Sequence, residues 1–221
     1  MTKSQITLDL PHRTSLKGVD FIVSASNRQA VQMIDLWPDW PHNALALVGP
    51  PSSGKTHLAS LWREKSGAAM LHGPALSPDI ARQTGGKALI LEQADQVRDH
   101  DALFHLLNWT REGKVALLMT AARPPAHWDV TLADLSSRLK AVPLVELGQP
   151  DDALLAALLT KQFADRQLRV KGVVIDFLLA RMERSCAAAS AIAEALDEAS
   201  LSEARPITVP LAGKVLEQLS F

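Results

Sequence analysis

The chain has 221 residues, 47% of them hydrophobic, enough to bury one large core or a core with a small appendage. Its 23 basic and 24 acidic residues leave a formal net charge of −1, which excludes a histone-like polyelectrolyte and confines any nucleic-acid contact to a local patch. A single cysteine, Cys186, excludes an internal disulfide; no apolar run approaches the ~20 residues of a membrane helix, and Met1 to Thr14 lacks a secretory h-region, so the cytoplasm is the expected compartment.

In chain order, Gln5-Ile6-Thr7-Leu8-Asp9-Leu10 alternates like a lone extended strand and is closed off by Pro11. It reads either as an edge strand or loose arm, or as a linear motif in which Gln5 is an amide reader and Leu8 and Leu10 anchor in a partner's apolar pocket. Phe21-Ile22-Val23 then leads through a small-residue turn into a helix signal that includes Asn27 and Met33 to Leu36, with Ser26 as the expected N-cap. Placed just upstream of the loop described next, Ile22 and Val23 can sandwich an adenine or simply pack the helix. Trp37-Pro38-Asp39-Trp40-Pro41 holds two prolines that forbid a continuous helix or central strand, so it reads as a rigid connector with packing tryptophans.

The apolar run Ala44 to Val48 feeds Gly49-Pro50-Pro51-Ser52-Ser53-Gly54-Lys55-Thr56, a full match to G-x-x-x-x-G-K-[ST]. The glycines let the backbone turn sharply, so that the loop through Gly49, Pro50, Ser52, Ser53 and Gly54 cradles phosphates. Lys55 supplies a cation for the β- and γ-phosphates, and the Thr56 hydroxyl can ligate Mg²⁺. His57 continues a helix whose positive end faces the anion.

Further apolar runs at 68–72, 88–91, 115–120 and 142–147, with helical spacing between them, predict a parallel sheet with right-handed crossovers. The run 88–91 ends in Glu92-Gln93, where P-loop ATPases place two acidic residues, one for the Mg²⁺ hydration shell and one for the attacking water. Gln93 can orient a water but cannot act as a carboxylate base, so hydrolysis by this chain alone is expected to be slow; Asp95, three residues on from Glu92, reads as an N-terminal helix residue or, alternatively, as a replacement for the missing acid. Thr120 closes its strand where a polar side chain can sense a γ-phosphate. Arg138, near a helix end, reads either as a solvated cation or as an arginine finger for a neighbour's nucleotide. From Gln149 the pattern is helical only, with Leu154, Leu155, Leu158, Leu159 and Phe163 at helical spacing.

Together these stretches resemble the DnaA/Hda family of AAA+ P-loop proteins, and within it the short regulatory Hda-type homologues. Phe21-Ile22-Val23 with Asn27 is similar to the family's nucleotide box, Gly49 to Thr56 to its Walker A, and Leu91-Glu92-Gln93 to its Walker B. Thr120 to Pro125 is similar to the sensor 1 strand end, Ser137-Arg138-Leu139 to the arginine-finger box, and Arg205-Pro206-Ile207-Thr208 to the last lid connection. The sequence departs at Gln93, and at Cys186-Ala187-Ala188-Ala189, where a sensor 2 arginine belongs; Arg184 lies about one turn early. The arm at Gln5 to Leu10 resembles the sliding-clamp-binding motif of bacterial replication proteins.

The resemblance implies an α/β AAA+ core over 15–149 with helices on both faces of a parallel sheet, a small all-helical lid over 150–221, and a clamp-binding arm over 1–14. It further implies ADP or ATP with Mg²⁺ held by Thr56 and Glu92. The implied partners are the β sliding clamp and the DnaA initiator, with no specific DNA binding and no membrane; a homo-oligomer stays open. The implied function is a regulator of replication initiation that promotes hydrolysis of DnaA-bound ATP through Arg138. The alternative is an autonomous initiator-like ATPase or loader.

Overall fold

The computed structural model describes residues 22–79, 87–203 and 205–219. Gln5, Leu8, Leu10 and Phe21 lie outside the described residues. The described chain forms two compact units, one over 27–148 and one over 149–219 joined by the short run 22–26.

In the first unit, α1 (Arg28–Asp35), β1 (Ala44–Val48), α2 (Lys55–Ser66), β2 (Ala69–His72), β3 (Ala88–Glu92), α3 (His100–Arg111), β4 (Ala116–Ala121), α4 (Ala133–Lys140) and β5 (Leu144–Glu146) follow in order. The sheet order is β2-β3-β4-β1-β5, and every pairing is parallel. A parallel ladder needs crossover helices on its faces, which explains why β1 and β3 are apolar at nearly every position and buried throughout. Alternation sends Ala46, Val48, Leu89, Leu91, Leu117 and Met119 to one face, where they pack with Leu103, Leu106 and Leu107 of α3 and Leu135 and Leu139 of α4. The opposite face receives α2, which packs on β3 and β4.

The tryptophans are packing residues, as expected. Trp62 of α2 is fully buried, stacks on Trp40 at 5.0 Å and meets Trp37 edge-on at 5.9 Å. Trp40 in turn donates its indole N–H to the Met33 carbonyl at 2.7 Å.

Three local readings are corrected. The N-cap of α1 is Asn27 and not Ser26, and the Asn27 side chain makes no capping bond to the helix. The last strand is shorter than the run 142–147: the Val142 amide still bonds the Leu139 carbonyl of the α4 end, and Pro143 has no N–H, although its carbonyl accepts the Ala46 N–H at 2.9 Å. Asp95 lies in a single 3-10 turn, Ala94–Gln96, and not at the start of a helix; α3 is capped by Asp99, which accepts the Ala102 N–H at 2.8 Å.

The second unit is all helical: α5 (Asp152–Asp165), α6 (Gly172–Leu179), α7 (Cys186–Glu203) and α8 (Val209–Leu219). Leu155, Leu159, Phe163, Leu178, Ile192 and Leu196 form its core, and Ala188, Ala189 and Ala193 of α7 are small enough to let neighbouring helices approach closely. Ser185 caps α7 by accepting the Ala188 N–H at 3.0 Å.

Candidate functional site

The loop after β1 is fixed by backbone geometry first. Gly49 donates to the Ala121 carbonyl at 3.1 Å, and a Cβ there would meet the Leu147 carbonyl oxygen at 2.3 Å, so only glycine fits between the strands. Ser52 and Gly54 are both left-handed, with φ of 58° and 97°, and turn the chain into the N-terminus of α2. Ser53 is buried and Pro50 half-buried, while Thr56 and His57 stand exposed in the first turn of α2.

Lys55 folds back over this loop. Its ammonium donates to the Gly49 carbonyl at 2.8 Å, the Pro50 carbonyl at 2.6 Å and the Ser53 hydroxyl at 3.5 Å. Burial lowers its pKa from the ordinary lysine value, and the Asp95 and Glu92 carboxylates oppose that shift. All three of these partners are neutral oxygens.

The ends of β3 and β4 supply the acidic side. Glu92 is 7% exposed, and its Oε1 is buried with no hydrogen-bond partner among the described residues. Gln93 is exposed and left-handed at φ 53°, and its N–H donates to Thr120 Oγ1 at 3.2 Å. Asp95 accepts the Ala122 N–H at 3.1 Å. The ladder between these strands pairs only as far as Leu91 with Met119, so Thr120 and Asp95 join the strand ends beyond it. Sequence reasoning assigned Thr120 to phosphate sensing and missed this joining role; nothing in the local pattern around Asp95 signals a contact 27 positions away.

Arg138 sits on α4, half-buried, with its guanidinium over the Phe104 ring of α3 at 4.8 Å from the centroid. Among the described residues its buried Nε has no hydrogen-bond partner and Arg138 forms no ion pair.

In the helical unit, Val23 and Ser24 are 6% and 2% exposed, and Ile22 is half-buried. Asn27, in the other unit, is 6% exposed. Arg184 is paired with Asp152 of α5.

A family model described as Hda, lid domain, matches residues 151–216. A relative from Haemophilus influenzae, described as an uncharacterized protein, is 30% identical over 184 residues, covering 76% of this chain and 79% of its own length. The chain belongs to the Hda family of DnaA homologues. Solved structures agree on the fold of this Hda-family chain. Domain III of DnaA from Thermotoga maritima superposes with a TM-score of 0.75 at 16% identity, covering 90% of this chain and 94% of that one. AMPPCP-bound DnaA from Aquifex aeolicus superposes with a TM-score of 0.61 at 20% identity, covering 80% of this chain and 62% of that one. The Hda-family chain therefore has the α/β AAA+ fold, with a parallel sheet and a helical lid. Among its described residues no helix is long and apolar enough to cross a membrane.

Proposed function

We propose that this chain is a cytoplasmic, nucleotide-binding regulator of bacterial replication initiation, which docks on the sliding clamp and promotes hydrolysis of ATP held by DnaA. The observation that carries the reading is Arg138. A guanidinium supported on an aromatic face, with a buried unbonded Nε and no carboxylate partner among the described residues, is a cation set for an anion that belongs to another molecule. Supplied to the triphosphate of a bound DnaA, such a charge offsets what develops on the transferring phosphoryl oxygens and is worth roughly a thousandfold or more in rate.

This chain's own loop would hold ADP or ATP. The phosphates would lie against the amides from Gly49 to Thr56 and the Lys55 ammonium, His57 would open the helix behind them, and Ile22, Val23, Phe21 and Asn27 would take the base. Thr120 would face the terminal phosphate. Thr56 and the orphaned Glu92 oxygen suit Mg²⁺, which when bound would neutralise phosphate charge. The DnaA relatives whose structures contain AMPPCP support an adenine nucleotide. Gln93 in place of a carboxylate argues for weak turnover here, so nucleotide would act chiefly as a structural ligand. Gln5, Leu8 and Leu10 would engage the clamp, and that tether raises the local concentration of Arg138 near DnaA on clamp-loaded DNA.

The test is reconstitution. Native protein added to DnaA·ATP with clamp-loaded DNA should accelerate release of phosphate, and both Gln5→Ala and omission of the clamp should remove most of the acceleration. Equal clamp retention of native and Gln5→Ala proteins would dismiss the arm.

A second reading, an autonomous ATPase or loader, draws on Asp95, whose charge acts on Lys55 together with that of Glu92. It requires robust steady-state hydrolysis by the purified chain, lost in Lys55→Ala, with no clamp or DnaA present.

A further inference from the structure

The carboxylate missing at Gln93 is returned by the backbone at Asp95. Gln93 is left-handed at φ 53°, and the 3-10 turn Ala94–Gln96 follows it, closed by the Gln96 N–H on the Gln93 carbonyl at 2.9 Å. The turn is wedged in place: Ala94 is buried, and a Cβ on Gly73, directly after β2, would meet the Gln93 carbonyl oxygen at 2.3 Å. This reversal brings Asp95 to the end of β4, where Oδ2 accepts the Ala122 N–H at 3.1 Å. The adjacent Ala121 carbonyl accepts the Gly49 N–H at 3.1 Å, so Asp95 and the start of the phosphate loop are anchored on neighbouring residues of one strand end.

Two carboxylates therefore stand near one ammonium. Asp95 and Glu92 both place negative charge on Lys55, against the effect of its burial. Glu92 is 7% exposed and its Oε1 has no hydrogen-bond partner among the described residues, a position that is unfavourable for a carboxylate oxygen unless a cation or donor reaches it. Among the described residues no group of three or more acidic, histidine or cysteine side chains could hold a metal ion. A cation here would need oxygens from the ligand itself, which is how Mg²⁺ sits with one or two carboxylates and a substrate's phosphates. Two carboxylates against one ammonium leave the empty site negative, so a bare phosphate is repelled and a cation-paired phosphate is not.

We propose that Asp95 is a specificity-determining residue: together with Glu92 it restricts the 49–56 loop to a nucleoside phosphate paired with a divalent cation and rejects the metal-free anion. The inference rests on the reading of that loop as a nucleotide site, and it adds a choice between two forms of the same ligand.

The informative variant is Asp95→Asn, whose side-chain oxygen can still accept the Ala122 N–H while the charge is gone. Equilibrium titration with a fluorescent ADP, once in excess Mg²⁺ and once in EDTA, reads the two forms separately. Native protein should bind ADP about a hundredfold more tightly with Mg²⁺, at about tenfold for each nearby carboxylate. Asp95→Asn should bind metal-free ADP roughly tenfold more tightly than native and Mg²⁺-paired ADP about threefold more weakly. Opposite signs are the signature, because damage to the strand ends would weaken both forms together. Pyrophosphate titrated in the same two buffers should repeat the pattern, since the base takes no part in it.

A native preference for the Mg²⁺ form in Asp95→Asn would overturn the proposal, as would equal losses for both forms. So would a native chain that binds ADP equally well in Mg²⁺ and in EDTA, a comparison that needs no variant. A native chain that binds neither ADP nor pyrophosphate in either buffer would remove the phosphate-loop reading beneath the proposal, and the proposal with it.

Discussion

Replacing Gly49 with alanine puts one methyl group where β1 and β5 meet the phosphate loop. The added Cβ would lie 2.3 Å from the Leu147 carbonyl oxygen and 3.0 Å from Ser53 Oγ, whereas an ordinary carbon–oxygen contact is about 3.3 Å or more. The obstacle is backbone, so relief requires a shift of about 1 Å in the chain leaving β5, given that contact distance. That shift strains two bonds: Leu147 N–H to the Val48 carbonyl at 2.7 Å, and Gly49 N–H to the Ala121 carbonyl at 3.1 Å. Overpacking costs about 1–3 kcal/mol and each of the two weakened bonds about 1 kcal/mol, for a total of roughly 3–5 kcal/mol. Urea unfolding followed by tryptophan fluorescence suits the measurement, because all five tryptophans lie in the unit that contains the loop. With a urea slope of about 2 kcal/mol/M, the midpoint should fall by roughly 1.5–2.5 M. A Gly49→Ala protein that unfolds within about 0.5 kcal/mol of native, with unaltered ADP affinity, would refute the argument.

Trp62→Ala should cost about 3–5 kcal/mol on the same assay, since the indole is fully buried against Trp40 and Trp37. Trp62→Phe should cost far less, because it also removes an indole N–H that is buried without a partner among the described residues. Lys55 is charged in the folded state against the pull of burial, so its contribution to stability is least favourable below its lowered pKa and improves as pH rises towards the unfolded value of 10.5. The stability of native protein relative to Lys55→Met should accordingly climb between neutral and alkaline pH, as read from urea midpoints in nucleotide-free buffer; a flat or falling difference would contradict the sign. Burial raises the Cys186 thiol above 9.0, so alkylation by iodoacetamide at pH 7.5 should be slower than that of free glutathione and should accelerate beyond pH 9.

The sheet was legible because a parallel strand buried on both faces leaves a continuous apolar run, and Ala44 to Val48 and Ala88 to Leu91 are too short for a buried helix and are bounded by glycine turns. The phosphate loop was legible because its glycines answer backbone requirements, here the close approach at Gly49 and the left-handed Gly54. What escaped was long-range. Asp151 before Leu154 carries the ordinary sign of a helix cap, but its bond to Ser26 depends on how the chain returns after more than a hundred residues. Ser26 does not cap because α1 begins one residue later, at Arg28, and the Ser26 hydroxyl lies 2.7 Å from that of Ser24. The aromatic support under Arg138 comes from Phe104 on a neighbouring helix, and spacing within either helix cannot show it.

The most direct test of the account is single-turnover hydrolysis of DnaA-bound ATP on clamp-loaded DNA, comparing native protein with Arg138→Ala. The account predicts that the variant loses stimulation by a factor on the order of a thousand while its retention on the clamp and its affinity for ADP stay native. Full stimulation by Arg138→Ala would contradict it.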